Sequence, residues 1–135
     1  MILAVIDTNV LVAALKTKHR DSATRRTIMA VVKGKVTPLI APEIVAEYRD
    51  VLSRGYLHLE KEAVDELMAL FVKMGKELPP MHTDEEMPDE DDRVFYEVAL
   101  SGKADGAHVV TGNLKHYPKS PIVITPAEFC ALIGV

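Results

Sequence analysis

Short β-branched runs alternate along the chain with stretches whose apolar residues recur at helical spacing, a pattern that predicts an α/β domain with a mainly parallel sheet. Ile2 to Ile6 is an uninterrupted apolar run closed by Asp7, Thr8 and Asn9, as expected of a buried central strand. Asn9 to Leu15 reads as a short helix and Asp21 to Val32 as a longer one, with Gly34 where a left-handed cap is wanted. Val36 to Ile40 is the second strand. Pro42, tolerated in a first helical turn, opens a helix whose apolar positions are Ile44, Val45, Tyr48, Val51 and Leu52. Glu60 to Met74 is another, with Val64, Leu67, Met68, Phe71 and Met74 on one stripe and Gly75 as its stop. Pro79 and Pro80 cannot donate to a ladder, so Leu78 to Asp84 is confined to an edge strand or an extended connector. A helix over Asp92 to Ser101, a strand over Ala107 to Thr111, a short strand over Ile122 to Ile124 and a closing helix over Pro126 to Leu132 complete the pattern. The closing helix carries the capping box Thr125-x-x-Glu128 with proline at its first position. No repeat or long linker intervenes, so the expectation is one domain over residues 1–135 with four or five short strands.

Composition narrows the class. At 48% hydrophobic and 27% charged residues, the chain has the profile of a soluble domain with a sizeable core, not of a disordered or fibrous segment. Cys130 is the single cysteine, which excludes an internal disulfide and any Cys/His zinc spacing and suggests a reducing compartment. The N-terminal apolar run is too short for a secretion signal or a bilayer span, so a cytoplasmic protein without a membrane partner is expected. The net charge of -4 is unevenly spread: residues 1–35 hold seven bases against two acids, and residues 60–97 hold thirteen acids against four bases. One basic face and one acidic region would produce this division, and so would two solvated helix faces.

The chemistry lies in the acids. Ligand-binding groups of an open parallel sheet gather beyond the carboxyl ends of its strands. Asp7 follows the first strand. Glu47 lies in the helix after the second, about 40° outside the apolar arc, on the border of its buried face. Asp91 and Asp92 begin a helix that leads into the strand Ala107 to Thr111, so descending the one and ascending the other makes Asn113 a neighbour of Asp92 and leaves Asp105 remote. Asp7, Glu47, Asp92 and Asp91 can thus share one cleft. Clustered carboxylates repel, and a hard divalent cation, Mg²⁺ or Mn²⁺, relieves them while leaving coordination positions for water and phosphate oxygens. Such a site suits phosphodiester hydrolysis. Each acid also has a plainer reading. Asp7 can cap the following helix, Glu47 can be a surface acid, and Asp89 to Asp92 can complement a helix N-terminus. No Gly-rich phosphate loop supports a nucleotide cofactor, the five histidines form no i,i+4 pair, and no Gly-x-Ser-x-Gly elbow is present. Cys130 reads as an inert buried thiol.

Val5-Ile6-Asp7-Thr8-Asn9-Val10-Leu11-Val12, Glu47-Tyr48-Arg49-Asp50-Val51-Leu52, Asp91-Asp92 before Phe95 and Ala99, and Val109-Val110-Thr111-Gly112-Asn113 resemble, in this order, the motifs of PIN-domain nucleases. The likeness spans nearly the whole chain. Thr111-Gly112-Asn113-Leu114-Lys115-His116-Tyr117-Pro118 followed by Thr125-Pro126-x-Glu128-Phe129 resembles the small single-domain branch that forms the toxins of toxin-antitoxin pairs. The resemblance implies a three-layer α/β/α fold and a metal-dependent endoribonuclease with Asp7, Glu47 and Asp92 as its three carboxylates. Thr8 and Thr111 match hydroxyl positions that orient the acids or a bound water, with Asn9 and Asp91 beside them. Many family members carry a fourth acid where this chain has Asn113, whose amide brings no charge and leaves a second metal site one acid short. The resemblance also implies a homodimer and an antitoxin covering the cleft. On this reading Lys16, Lys18, Arg20, Arg25 and Arg26 track an RNA backbone beside the acids, and Lys115 and His116 approach from the other side. Two alternatives stand beside it. A haloacid-dehalogenase-type phosphatase also uses an Asp after its first strand but wants a second acid at Asn9, and a degenerate PIN domain would bind RNA or protein without cleaving.

Overall fold

The computed structural model describes residues 1–135. Its centre is strand β1 (Ile2–Ile6), in which Leu3 to Ile6 are buried on both faces, so helices cover the sheet from either side. Helix α1 (Thr8–Lys16) follows at once, then α2 (Ala23–Val32) and strand β2 (Val36–Ile40). Gly34, at φ +74°, makes the turn between α2 and β2 in the left-handed region that a Cβ disfavours. Helix α3 (Pro42–Leu52) leads through a 3₁₀ turn at Gly55–Leu57 to α4 (Lys61–Met74), strand β3 (Lys76–Glu77), a second 3₁₀ turn at Glu90–Asp92 and helix α5 (Arg93–Ser101). Strand β4 (His108–Val110), a 3₁₀ turn at Leu114–His116, strand β5 (Val123–Ile124) and helix α6 (Pro126–Ile133) complete the chain.

All strands are parallel, in the order β3-β2-β1-β4-β5. Every strand therefore ends at the same edge, and the register Ile6↔Val110 puts Asp7 and Thr111 side by side just past it. A single core cluster of 28 buried residues, including Ile6, Leu39, Tyr48, Phe71, Phe95 and Phe129, joins the sheet to its helices. Tyr48 packs edge-on to Phe71, and its hydroxyl donates to the Ile6 carbonyl. That bond ties α3 to the end of β1, next to Asp7.

The expected elements form, with three adjustments. The edge strand precedes the prolines: Lys76 and Glu77 pair with Leu39 and Ile40, Leu78 donates the last amide bond to Ile40, and Pro79 and Pro80 have no N–H with which to continue. The acidic run before α5 is a separate 3₁₀ turn, capped by the Asp89 side chain accepting from the Asp91 amide. Gly75 ends α4 in an extended conformation. Its requirement is space, because a Cβ there would lie 2.4 Å from the Phe71 carbonyl oxygen. No helix is long and apolar enough to cross a membrane.

Candidate metal-binding acidic site

Asp7 occupies the N-cap position of α1 without making a capping hydrogen bond. Its carboxylate turns to the sheet edge, where three donors converge on Oδ2: Thr111 Oγ1 at 2.8 Å, Tyr117 OH at 3.0 Å and Asn9 Nδ2 at 3.3 Å. No side chain bonds to Oδ1. Burial pushes the Asp7 carboxyl above the ordinary range, and the Thr111 and Tyr117 hydrogen bonds oppose that shift. The Tyr117 hydroxyl, raised far above its usual range by burial and by the Asp7 charge, stays protonated and is a permanent donor.

Glu47 reaches the same place from α3. Thr8 Oγ1 donates to Glu47 Oε2 at 2.7 Å, so the residue after Asp7 fixes the second acid. Half-buried, Glu47 is also raised, by desolvation first and then by the charges of Asp7 and Asp91. Asp92, 9% exposed, stands where the 3₁₀ turn joins α5 and is pushed up to about 7 by burial, Asp7 and Asp89, with His116 opposing. Asp91 is exposed, but its charge is felt by Glu47.

A hydrogen-bonded arm closes the circuit. The Asn113 amide N–H is held by Thr111 Oγ1 at 3.0 Å, and its side-chain Nδ2 donates to His116 Nε2 at 2.8 Å. With Nε2 accepting, Nδ1 carries the ring proton and donates to Asp92 Oδ2 at 3.1 Å; Asp89 Oδ2 lies 3.7 Å from the same nitrogen. Asn9 Oδ1 accepts from the Gly112 amide at 2.9 Å and so pins the start of this turn to α1. Asp7, Thr8, Asn9, Glu47, Asp92, Thr111 and Asn113 are thereby gathered at one edge, and Asp105, in the turn before β4, is at the opposite end of that strand.

Sequence reasoning brings His116 beside the site only as an RNA contact, without its tie to Asp92, and does not single out Tyr117. His116 has no metal-motif spacing, yet its ligand atom, with those of Asp89 and Asp92, falls in a group within 4.8 Å, so the acidic centre is not purely carboxylate. Tyr117 has no polar pattern around it. The Asn-x-x-His spacing on a 3₁₀ turn is the one signal the sequence offers for this arm.

The basic residues of the first third are spread over α1, its connection to α2, and α2. Lys16 borders a depression with Leu57 to Glu60, and Arg25 an adjoining one between α1, α2 and α4, with Leu15 and Ala63 common to both. Lys18 and Arg20 are exposed in the α1–α2 connection. Arg26 is committed to backbone: its Nε donates to the Asp21 carbonyl and its Nη1 to the Val135 carbonyl, each at 2.9 Å. It shares a depression with Lys33 and Lys35, which flank the amino end of β2, on the edge away from Asp7. The expected place of Arg26 beside the acids is thus corrected, because α6 packing and two carbonyls hold it at the opposite edge. Lys115 lies on the site's own turn, between Asn113 and His116.

No curated protein and no solved structure matches the chain. The PIN domain matches residues 3–115, a span that holds every acid of the site and Asn113 and ends one residue before His116. The chain belongs to the PIN-domain family, whose members are generally metal-dependent nucleases, and its acids lie where a parallel sheet gathers its chemistry.

Proposed function

We propose that the protein is a metal-dependent endoribonuclease, with Asp7, Glu47 and Asp92 holding Mg²⁺ or Mn²⁺. The observation that carries this reading is Asp7, which forgoes capping its helix and is instead held by three donors beside two other acids. The donor set fits the cation. Three carboxylates, each raised by burial, are costly without a counter-charge, and oxygen ligands suit a hard ion. When bound, the metal supplies an activated water and neutralises charge on the phosphoryl group.

The protein's own part is orientation. Thr111, Tyr117 and Asn9 fix one oxygen of Asp7 and leave the other for the ion; Thr8 does the same for Glu47, and His116 for Asp92. Asn113 donates to His116 in place of supplying a charge, which favours one tightly held metal over two. The toxin role, a homodimer and a neutralising antitoxin belong to the same proposal and rest on the resemblance of the Thr111 to Pro118 stretch.

The test is cleavage of structured and single-stranded RNAs, with single-stranded DNA alongside, in Mg²⁺, Mn²⁺ or EDTA. Cleavage should require metal and disappear in Asp7→Asn and in Asp92→Asn. Metal-independent cleavage, or cleavage that persists in both variants, would reject the reading. RNA binding without cleavage by any protein would favour a binding module.

A further inference from the structure

Beside the acidic centre lies an open cleft of about 660 Å³, within the range of pockets that enclose small ligands. Its two walls are the segments that carry the site. Glu86 and Pro88 precede Asp89, and Leu114 to Ser120 continue from Asn113, with Val123 of β5 at the back. Tyr117 belongs to both places: it lines the cleft, and its hydroxyl donates to Asp7 Oδ2. The cleft thus abuts the acidic centre, with the buried Tyr117 ring as the wall between them and with Pro88 and Lys115 each one residue from a site residue, Asp89 and His116.

Its chemistry is unlike that of the neighbouring acids. Pro88, Leu114, Pro118 and Val123 give it apolar surfaces, and Lys115 and Lys119, both exposed, stand on its rim against the single acid Glu86. A nucleic acid approaching five carboxylates (Asp7, Glu47, Asp89, Asp91, Asp92) needs cations at their side, and these two lysines are carried on the site's own turn and its continuation. We propose that this cleft holds a nucleotide of single-stranded RNA next to the scissile phosphate, its base against Leu114 and the two prolines and its flanking phosphates at Lys115 and Lys119. The assignment deepens the nuclease reading and rests on it for the identity of the strand.

The experiment is anisotropy titration of a fluorescent single-stranded oligoribonucleotide in Mg²⁺, in an Asp7→Asn background that blocks cleavage. Lys115→Ala with Lys119→Ala should weaken Kd about tenfold and, with the cationic partners of two phosphates removed, flatten the slope of log K against log salt by about 1.4. Leu114→Glu, at a side chain already 44% exposed and so tolerated by the fold, should weaken binding several-fold. Oligonucleotides with an abasic residue at the critical position should bind the parent more weakly and the Leu114→Glu variant no more weakly. Lys33→Ala with Lys35→Ala, at the opposite edge, should change nothing. Unchanged Kd and slope in the Lys115/Lys119 variant, or an equal loss in the Lys33/Lys35 variant, overturns the assignment. So does loss of poly-glutamate binding with RNA binding intact, which would give the cleft to an acidic protein segment. Cleavage by the native protein is read separately: metal-dependent cleavage with a silent lysine pair rejects the cleft alone, and lysine-dependent binding without cleavage rejects the nuclease alone.

Discussion

A carboxylate at a helix N-cap ordinarily bonds the first free amides of its own helix, and replacing it by alanine costs about 1 kcal/mol. Asp7 makes no capping bond deeper in its helix and is buried among side chains that hold its carboxylate at the sheet edge. The same tension is largest at Asp92, whose carboxyl titrates at about 7 in the metal-free protein. A group raised in the folded state favours folding when protonated, so its contribution is complete below the unfolded value of 3.8 and is lost as pH rises through about 7. Asp7 and Glu47 shift in the same direction. In EDTA, Tm should therefore fall as pH rises from 5 to 8, and Asp92→Asn should flatten that fall and raise Tm at pH 8 by several degrees, the equivalent of about 1–3 kcal/mol. A steeper fall in Asp92→Asn than in the native protein would contradict this account. His116→Ala removes the hydrogen bond to Asp92 Oδ2 and should weaken Mn²⁺ affinity by roughly 10-fold or more, as removal of an outer partner of a ligand does. Isothermal titration with Mn²⁺ reads it directly, and circular dichroism separates it from loss of fold.

Elements are legible where local rules are strong. The apolar run of β1, the stripes of α3 and α4 and the capping box of α6 are decided by side-chain periodicity and by one or two end residues, and each forms as read. Thr125 and Glu128 do exchange both hydrogen bonds, at 3.1 and 3.0 Å. Thr125→Ala should accordingly lower stability by about 1 kcal/mol in chemical denaturation, with metal affinity untouched. The edge strand falls before the prolines and not across them, because a strand two residues long is too short to show alternation and only the neighbouring β2 specifies it. At the site, the strand-to-acid logic locates Asp7, Glu47 and Asp92, since strand order and direction suffice for that. The bonds of His116 to Asp92 and of Tyr117 to Asp7 are not legible in this way. Their partners lie 24 and 110 residues away, and the contacts depend on the path of a 3₁₀ turn that no periodicity records. Arg26 shows the same limit from the other side: a basic residue read as free in the sequence is consumed by backbone carbonyls once α2 packs against α6.

At the scale of the whole molecule, the acids of the site and three bases of the α2–β2 region lie at opposite ends of the sheet. The carboxyl edge of the sheet gathers the acids, and Arg26, Lys33 and Lys35 mark the amino edge. Arg26→Ala should therefore destabilise the protein, by about 1–3 kcal/mol for lost bonds from a charged donor, while leaving RNA affinity and its salt slope unchanged. Urea denaturation and anisotropy on one preparation separate the two effects. A divalent ion at 100 times its Kd should stabilise the native fold by about 2.7 kcal/mol, and by much less in Asp7→Asn. The network at the carboxyl edge also has an order in time. Two of the three donors to Asp7 lie 104 and 110 positions later in the chain, on β4 and the segment that follows it, so β4 must pair with β1 before Thr111 is in reach. On a ribosome, Asp7 emerges more than a hundred residues ahead of the two hydroxyls that orient it, and the site is complete only when nearly all of the sheet has been made. If the protein is the ribonuclease proposed above, the messenger being read and the ribosomal RNA around it meet a finished enzyme only when translation of the domain is almost over.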